Sequence, residues 1–151
     1  MTYRFLADTM LGKLAKWLRI MGYDTIYRSS YKMGEIEENI TAGRLILSRN
    51  TRLTDTHGHF FLIRSVHVGD QLHELSEGGY IIPQKSGWFS RCLVCNVILK
   101  NIPVEAARES VPEYVFYQNL TAIRFCPTCG RYFWPGSHRD RMIHQLKAWG
   151  F

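Results

Sequence analysis

Tyr3-Arg-Phe-Leu-Ala-Asp-Thr-Met-Leu-Gly-Lys-Leu-Ala-Lys-Trp-Leu-Arg-Ile-Met-Gly-Tyr-Asp-Thr-Ile-Tyr27 is the stretch whose reading decides the fold. Tyr3 to Ala7 predicts a short buried strand ending at Asp8. Beyond it Leu11, Leu14, Ala15, Leu18 and Met21 recur at helical spacing, with Lys13, Lys16 and Arg19 on the other face. Gly22 stands where a helix end favours a left-handed residue, and Asp24 to Tyr27 resumes extended structure. The grammar then repeats. Glu35 to Ala42 predicts a second amphipathic helix that Gly43 ends, Leu45 to Ser48 a central strand and Phe60 to Arg64 another. Asp70 is read as the cap of a helix over Gln71 to Ser76. Strands alternating with helices predict a three-layer α/β domain around a mainly parallel sheet.

The turn-rich run from Gly78-Gly79 to Gly87 is read as a boundary between residues 1–84 and a smaller module, 85–151. That module holds all four cysteines, as Cys92-Leu-Val-Cys95 and Cys126-Pro-Thr-Cys129 with thirty residues between them. A CxxC turn aims two thiolates at one point, and a second such turn completes the tetrahedral sulfur shell that Zn2+ prefers. Gly130 and Asn96 follow the pairs at positions where a turn needs an unhindered backbone. Two disulfides, or a thioredoxin-like CxxC, fit less well: adjacent cysteines staple a fold poorly, and a redox reading leaves one pair idle. Phe89 to Leu99 and Ile123 to Tyr132 are the expected cysteine hairpins, and Ser137 to Trp149 a closing helix capped by Ser137. His138 and His144 in that helix are not expected to bind the zinc.

Of 151 residues, 46% are hydrophobic and 21% charged, so a packed core is expected. No apolar run is long enough to span a bilayer, and Asp8, Lys13 and Lys16 interrupt any leader-like segment, which points to a soluble, cytoplasmic protein without a membrane partner. The net charge of +6 is unevenly spread: residues 85–151 hold nine Lys/Arg against four Asp/Glu, and residues 1–84 hold ten against nine. With Tyr114, Tyr117, Phe125, Tyr132, Phe133 and Trp134 among those cations, the second module has the chemistry of a nucleic-acid platform, since cations hold phosphate and aromatic faces stack on bases. The competing reading is that a small ribbon uses these aromatics to build its core.

In a parallel α/β sheet, function gathers at the carboxyl ends of the strands. Asp8 and Asn50 fall just past two candidate strands, and Glu35, Glu37 or Glu38 can reach the same edge from a helix start. Oxygen ligands gathered there would bind a hard divalent cation, as metal-assisted phosphodiester cleavage requires. The competing reading of the glutamates is solvated charge at a favourable helix terminus. The His57-Gly-His59 pair is read as an exposed loop.

The opening run Phe5 to Asp24 resembles the signature of the Mut-seven C-terminal RNase domain family. Arg44-Leu-Ile-Leu-Ser-Arg-Asn50, Gln71-Leu72, Arg91-Cys-Leu-Val-Cys-Asn96 and Cys126-Pro-Thr-Cys-Gly-Arg-Tyr-Phe-Trp-Pro-Gly-Ser-His138 extend the likeness over nearly the full chain. The resemblance implies a PIN-like nuclease domain followed by a zinc ribbon, and metal-dependent RNA hydrolysis. Asp8 matches the acid ending the first strand, Asp24 the Gly-Tyr-Asp signature, and Cys92, Cys95, Cys126 and Cys129 the ribbon ligands. Two departures bear on activity: Asn50 replaces an acid, and Met33-Gly34 replaces an acidic pair, with Glu35 next.

The expected catalytic set is therefore Asp8 with Glu35 or Glu38, helped by Asn50 or Asp55, around one or two Mg2+ or Mn2+ ions. Lys13, Lys16, Arg19, Arg49 and Arg52 are expected to neutralise RNA phosphates, with Arg124 and Arg131 in the ribbon. The rival expectation is a non-catalytic module holding RNA or a ribonucleoprotein, which Asn50 favours. A protein-interaction adaptor is the third.

Overall fold

The structure, a computed structural model, describes residues 2–52, 58–82 and 84–151. Asp55 and His57 lie outside the described residues. The chain forms two compact units, Met1–Asn96 and Val97–Phe151, so residues 85–96, including Cys92 and Cys95, fall within the first.

In the first unit β1 (Phe5–Ala7), a 3-10 turn (Thr9–Leu11), α1 (Gly12–Ile20), β2 (Thr25–Tyr27), α2 (Glu35–Thr41), β3 (Leu45–Ser48), β4 (Phe60–Leu62) and α3 (Val68–Glu77) follow in order. The strands form one parallel sheet in the order β2-β1-β3-β4. Phe5 lies opposite both Thr25 and Leu45, and Ala7 opposite Tyr27 and Leu47. Every residue of β1 and β3 is buried. Successive strand residues point to opposite faces, so both faces of the central strands are covered, and the sheet is flanked by helices. The chain steps from β1 to β2 and then back across β1 to β3. Right-handed crossovers in these two directions require α1 and α2 on opposite faces, and they place the topological switch point between β1 and β3.

The core side chains are those the periodicity marks: Leu14 and Leu18 of α1, Leu72 and Leu75 of α3, and Phe5, Leu6, Ile46 and Leu47 of the sheet are each at most 1% exposed. Gly22 adopts φ 94°, and a Cβ there would meet the Gly87 carbonyl oxygen at 2.3 Å. Only glycine fits. α3 begins two residues ahead of Asp70, which therefore lies in its first turn rather than at its cap.

The second unit carries β5 (Lys100–Asn101), α4 (Val104–Arg108), α5 (Glu113–Gln118), β6 (Arg124–Phe125), β7 (Tyr132–Phe133) and α6 (Ser137–Ala148). Its strands pair antiparallel in the order β5-β6-β7. The hairpin of β6 and β7 frames the second cysteine pair. Ser137 is the first helical residue of α6 and Gly136 occupies the cap. Ala107, Val111, Val115, Phe116 and Ile123 form a core against which Ile102, Tyr132 and Trp134 pack. No described helix is long and apolar enough to cross a membrane.

Candidate functional site

Asp8 is the first residue past β1, beside the switch point. Its backbone N–H donates to the Leu47 carbonyl (2.9 Å), which ties it to the end of β3. One carboxylate oxygen, Oδ1, accepts from the Thr9 amide at 2.7 Å, as befits a residue that caps the following turn. The other, Oδ2, accepts from the Ser48 hydroxyl at 2.7 Å. Ser48 is 2% exposed, and its Oγ in turn accepts from the Asn50 backbone N–H at 3.0 Å. The Asn50 side-chain oxygen accepts from the Arg52 N–H, also at 3.0 Å. Asp8, Ser48 and Asn50 thus form one hydrogen-bonded series along the carboxyl edge.

Tyr31 completes this edge. Its hydroxyl donates to the Ala7 carbonyl at 2.6 Å and accepts from the Arg28 N–H at 3.1 Å. Burial pushes the phenol above its ordinary pKa, and the negative charges of Asp8 and Glu35 push the same way, so both carboxylates act on one hydroxyl. Glu35 lies in the first turn of α2 with Oε1 paired to Arg28 Nε at 2.8 Å and Oε2 accepting from the Lys32 N–H at 2.9 Å. Glu38 is exposed on the same helix. Among the described residues, Asp8, Glu35 and Glu38 do not gather into a three-residue metal cluster; the four cysteines are the only such group.

Lys13, Lys16 and Arg52 are exposed on the first unit and Arg124 and Arg131 on the second, while Arg49 is half-buried. Arg19 is not available to phosphate, contrary to its place on the helical wheel. It is 8% exposed, and donates from Nε to the Thr25 carbonyl (2.9 Å) and from Nη1 to those of Leu93 (2.9 Å) and Val94 (3.3 Å). Burial lowers its pKa from the ordinary value. Ser48 and Tyr31 are the residues that sequence reasoning misses. A hydroxyl closing an apolar strand one residue before Arg49-Asn50 is the signal that marks Ser48.

The four cysteine sulfurs lie within 4.8 Å of one another. Zn–S bonds of about 2.3 Å would set tetrahedral sulfurs roughly 3.8 Å apart, so the group fits a zinc ion. Within each pair the second cysteine's N–H donates to the first one's Sγ, at 3.3 Å for Cys95 to Cys92 and 3.4 Å for Cys129 to Cys126. Asn96 (φ 68°) and Gly130 (φ 75°) supply the left-handed residue after each turn, as the sequence predicts, and their N–H groups close back on the Cys92 and Cys126 carbonyls at 2.9 and 2.8 Å.

No curated protein and no solved structure matches the chain. The family model described as the Mut7-C RNAse domain matches residues 3–146. With both the parallel sheet and the cysteine group inside the matched span, the chain belongs to the Mut7-C RNAse domain family.

Proposed function

We propose that the protein is a ribonuclease that hydrolyses RNA phosphodiesters with a divalent cation, and that Asn50 makes it a slow one. The observation that carries this reading is Asp8: a carboxylate held by a buried hydroxyl at the switch point of a parallel sheet, in a chain of an RNase domain family. Asp8, Asn50 and the Ser48 hydroxyl offer oxygen donors of the kind hard cations take, with a single negative charge among them. A Mg2+ or Mn2+ ion bound there would activate water and neutralise charge on the phosphate. Ser48 orients Asp8. The Asn50 side chain braces the loop to Arg52, and Glu35 acts on the same edge through Tyr31. Lys13, Lys16, Arg49 and Arg52 would hold the RNA backbone, with Arg124 and Arg131 adding attraction from the ribbon.

The cysteine group is the structural zinc centre in this reading, and cysteines kept for metal suit a reducing cytoplasm. A second reading, a non-catalytic module holding RNA or a ribonucleoprotein, is favoured by the missing charge at Asn50. RNA cleavage across a manganese titration separates the two. Asn50→Asp should lower the manganese requirement and raise the rate, while Asp8→Ala should abolish cleavage without altering the fold. Activity surviving Asp8→Ala places the chemistry elsewhere, and inactivity of both the parent and Asn50→Asp favours the binding module.

A further inference from the structure

Asp24 lies at the amino end of β2, the opposite edge of the sheet from Asp8, so the acid of the Gly-Tyr-Asp signature cannot join the cation site. Its Oδ1 accepts instead from Arg44 Nη1 and from Asn96 Nδ2, each at 2.7 Å. Asn96 directly follows Cys95, and its side-chain oxygen accepts from the Thr25 N–H at 2.9 Å, adding an amide pairing at the head of β2. Three further contacts fasten the same segment to α1 and the turn after it. Arg91 Nε donates to the Gly22 carbonyl (3.0 Å), the Phe89 N–H to that of Ile20 (2.7 Å), and Arg19 Nη1 to that of Leu93 between the two cysteines (2.9 Å). All of these residues belong to the first compact unit.

We infer that Asp24 and Asn96 are positioning residues for the zinc centre, a latch by which the sheet preforms the turn of Cys92 and Cys95. The inference rests on the proposal that the four cysteines hold zinc. The physical case is preorganisation: a CxxC turn on a free chain loses backbone entropy when it binds metal, whereas one already held at its carbonyls and at its left-handed residue has lost that freedom on folding. The arrangement of groups also fits. Arg19 draws the Leu93 and Val94 carbonyls to itself while the Cys95 N–H points to the Cys92 sulfur. The two carbonyls between the cysteines are thereby engaged by one guanidinium, and one backbone N–H is turned in toward a ligand sulfur. Asn at position 96 supplies both the left-handed conformation and the two-sided amide that reaches Thr25 and Asp24.

The test measures zinc release from the full-length, zinc-loaded protein to a colorimetric chelator, well below the melting temperature. Asn96→Gly keeps the left-handed turn and removes the latch, and zinc should leave roughly tenfold faster or more, the scale on which outer-shell partners act. Asp24→Asn, which keeps the shape and removes the charge, should move release the same way by less, and decides the matter if Asn96→Gly does not fold. Leu75→Ala, a core lesion in α3, should lower the melting temperature and leave the release rate as it was. Wild-type release rates in both latch variants overturn the inference, as does equal acceleration by Leu75→Ala, which would make the effect global unfolding. Parent protein without one zinc per chain overturns the zinc proposal itself; zinc-loaded parent with unaffected variants overturns the latch alone.

Discussion

The Ser48 hydroxyl donates to Asp8 Oδ2 at 2.7 Å, joining the ends of the two central strands, β3 and β1, across forty residues of sequence. A hydroxyl at most 2% exposed has little water to exchange with, so this bond fixes the rotamer of the carboxylate proposed to hold the cation. Ser48→Ala should lower RNA cleavage roughly tenfold while Asp8 remains in place, the cost expected when a ligand loses its orienting partner. Stability should fall by about 1–3 kcal/mol, measured by urea unfolding, since the bond is to a charged acceptor. Ser48→Thr restores the hydroxyl and should recover the rate. Cleavage unchanged in Ser48→Ala would show that Asp8 needs no such support.

What the sequence discloses is what is local. The apolar positions of α1 and the buried run of β3 are read from period alone, and Gly22, Asn96 and Gly130 from the turn chemistry their neighbours demand. Arg19 is misread because the helical wheel knows nothing of the carbonyls of Leu93 and Val94, more than seventy residues away, that cover its face. Ser48 passes as the polar end of an apolar strand. Helices α4 and α5 span five and six residues, each opening after a proline, too short for a periodic signal to emerge. The aromatic ribbon residues divide in a way composition cannot show. Tyr132 and Trp134 pack on the core, while Tyr114 and Tyr117 stand 67% and 54% exposed.

Gly22 and Gly43 form a controlled pair. Both have positive φ, 94° and 84°, so alanine strains the backbone at either by roughly 1–2 kcal/mol. At Gly43 the nearest atom to an added Cβ is an Arg4 side-chain nitrogen at 3.6 Å, whereas at Gly22 it is the Gly87 backbone oxygen at 2.3 Å. Gly22→Ala should therefore cost more than Gly43→Ala by about 1–3 kcal/mol, the range for overpacking. Equal midpoints in urea would mean that the segment at Gly87 yields freely.

Asp24 titrates below its ordinary value. Burial opposes its charge, but hydrogen bonds from Arg44 and Asn96, with the positive charges of Arg44 and Arg91, outweigh it. A carboxyl depressed in the folded state contributes stability that is present above its unfolded pKa, near 3.8, and is lost as pH falls through the folded value. In Arg44→Ala the largest of the opposing interactions is gone while burial remains, so the carboxyl should titrate higher than in the parent. Side-chain carbon NMR of Asp24 across an acid titration reads this directly. An unmoved midpoint would mean that Asn96 and Arg91 alone hold the charge.

Tyr114 and Tyr117 stand one helical turn apart on α5, exposed, with Arg108 Nη2 donating to the Tyr117 hydroxyl at 3.0 Å. Rings in that setting can stack on bases, each stack contributing about 1–3 kcal/mol, and a neighbouring guanidinium adds phosphate attraction. If the ribbon grips RNA, the double variant Tyr114→Ala/Tyr117→Ala should weaken single-stranded RNA binding with no change in melting temperature or zinc content. Tyr132→Ala should instead lower the melting temperature, because Tyr132 packs against the core of the second unit. Arg124→Glu and Arg131→Glu should each reduce the slope of log affinity against log salt by about 1 if the arginine neutralises one phosphate. Fluorescence anisotropy with a labelled oligonucleotide at several salt concentrations measures all four variants. RNA affinity that survives the exposed tyrosine and arginine changes alike would remove the ribbon from RNA recognition and leave Lys13, Lys16 and Arg52 as the cations to test.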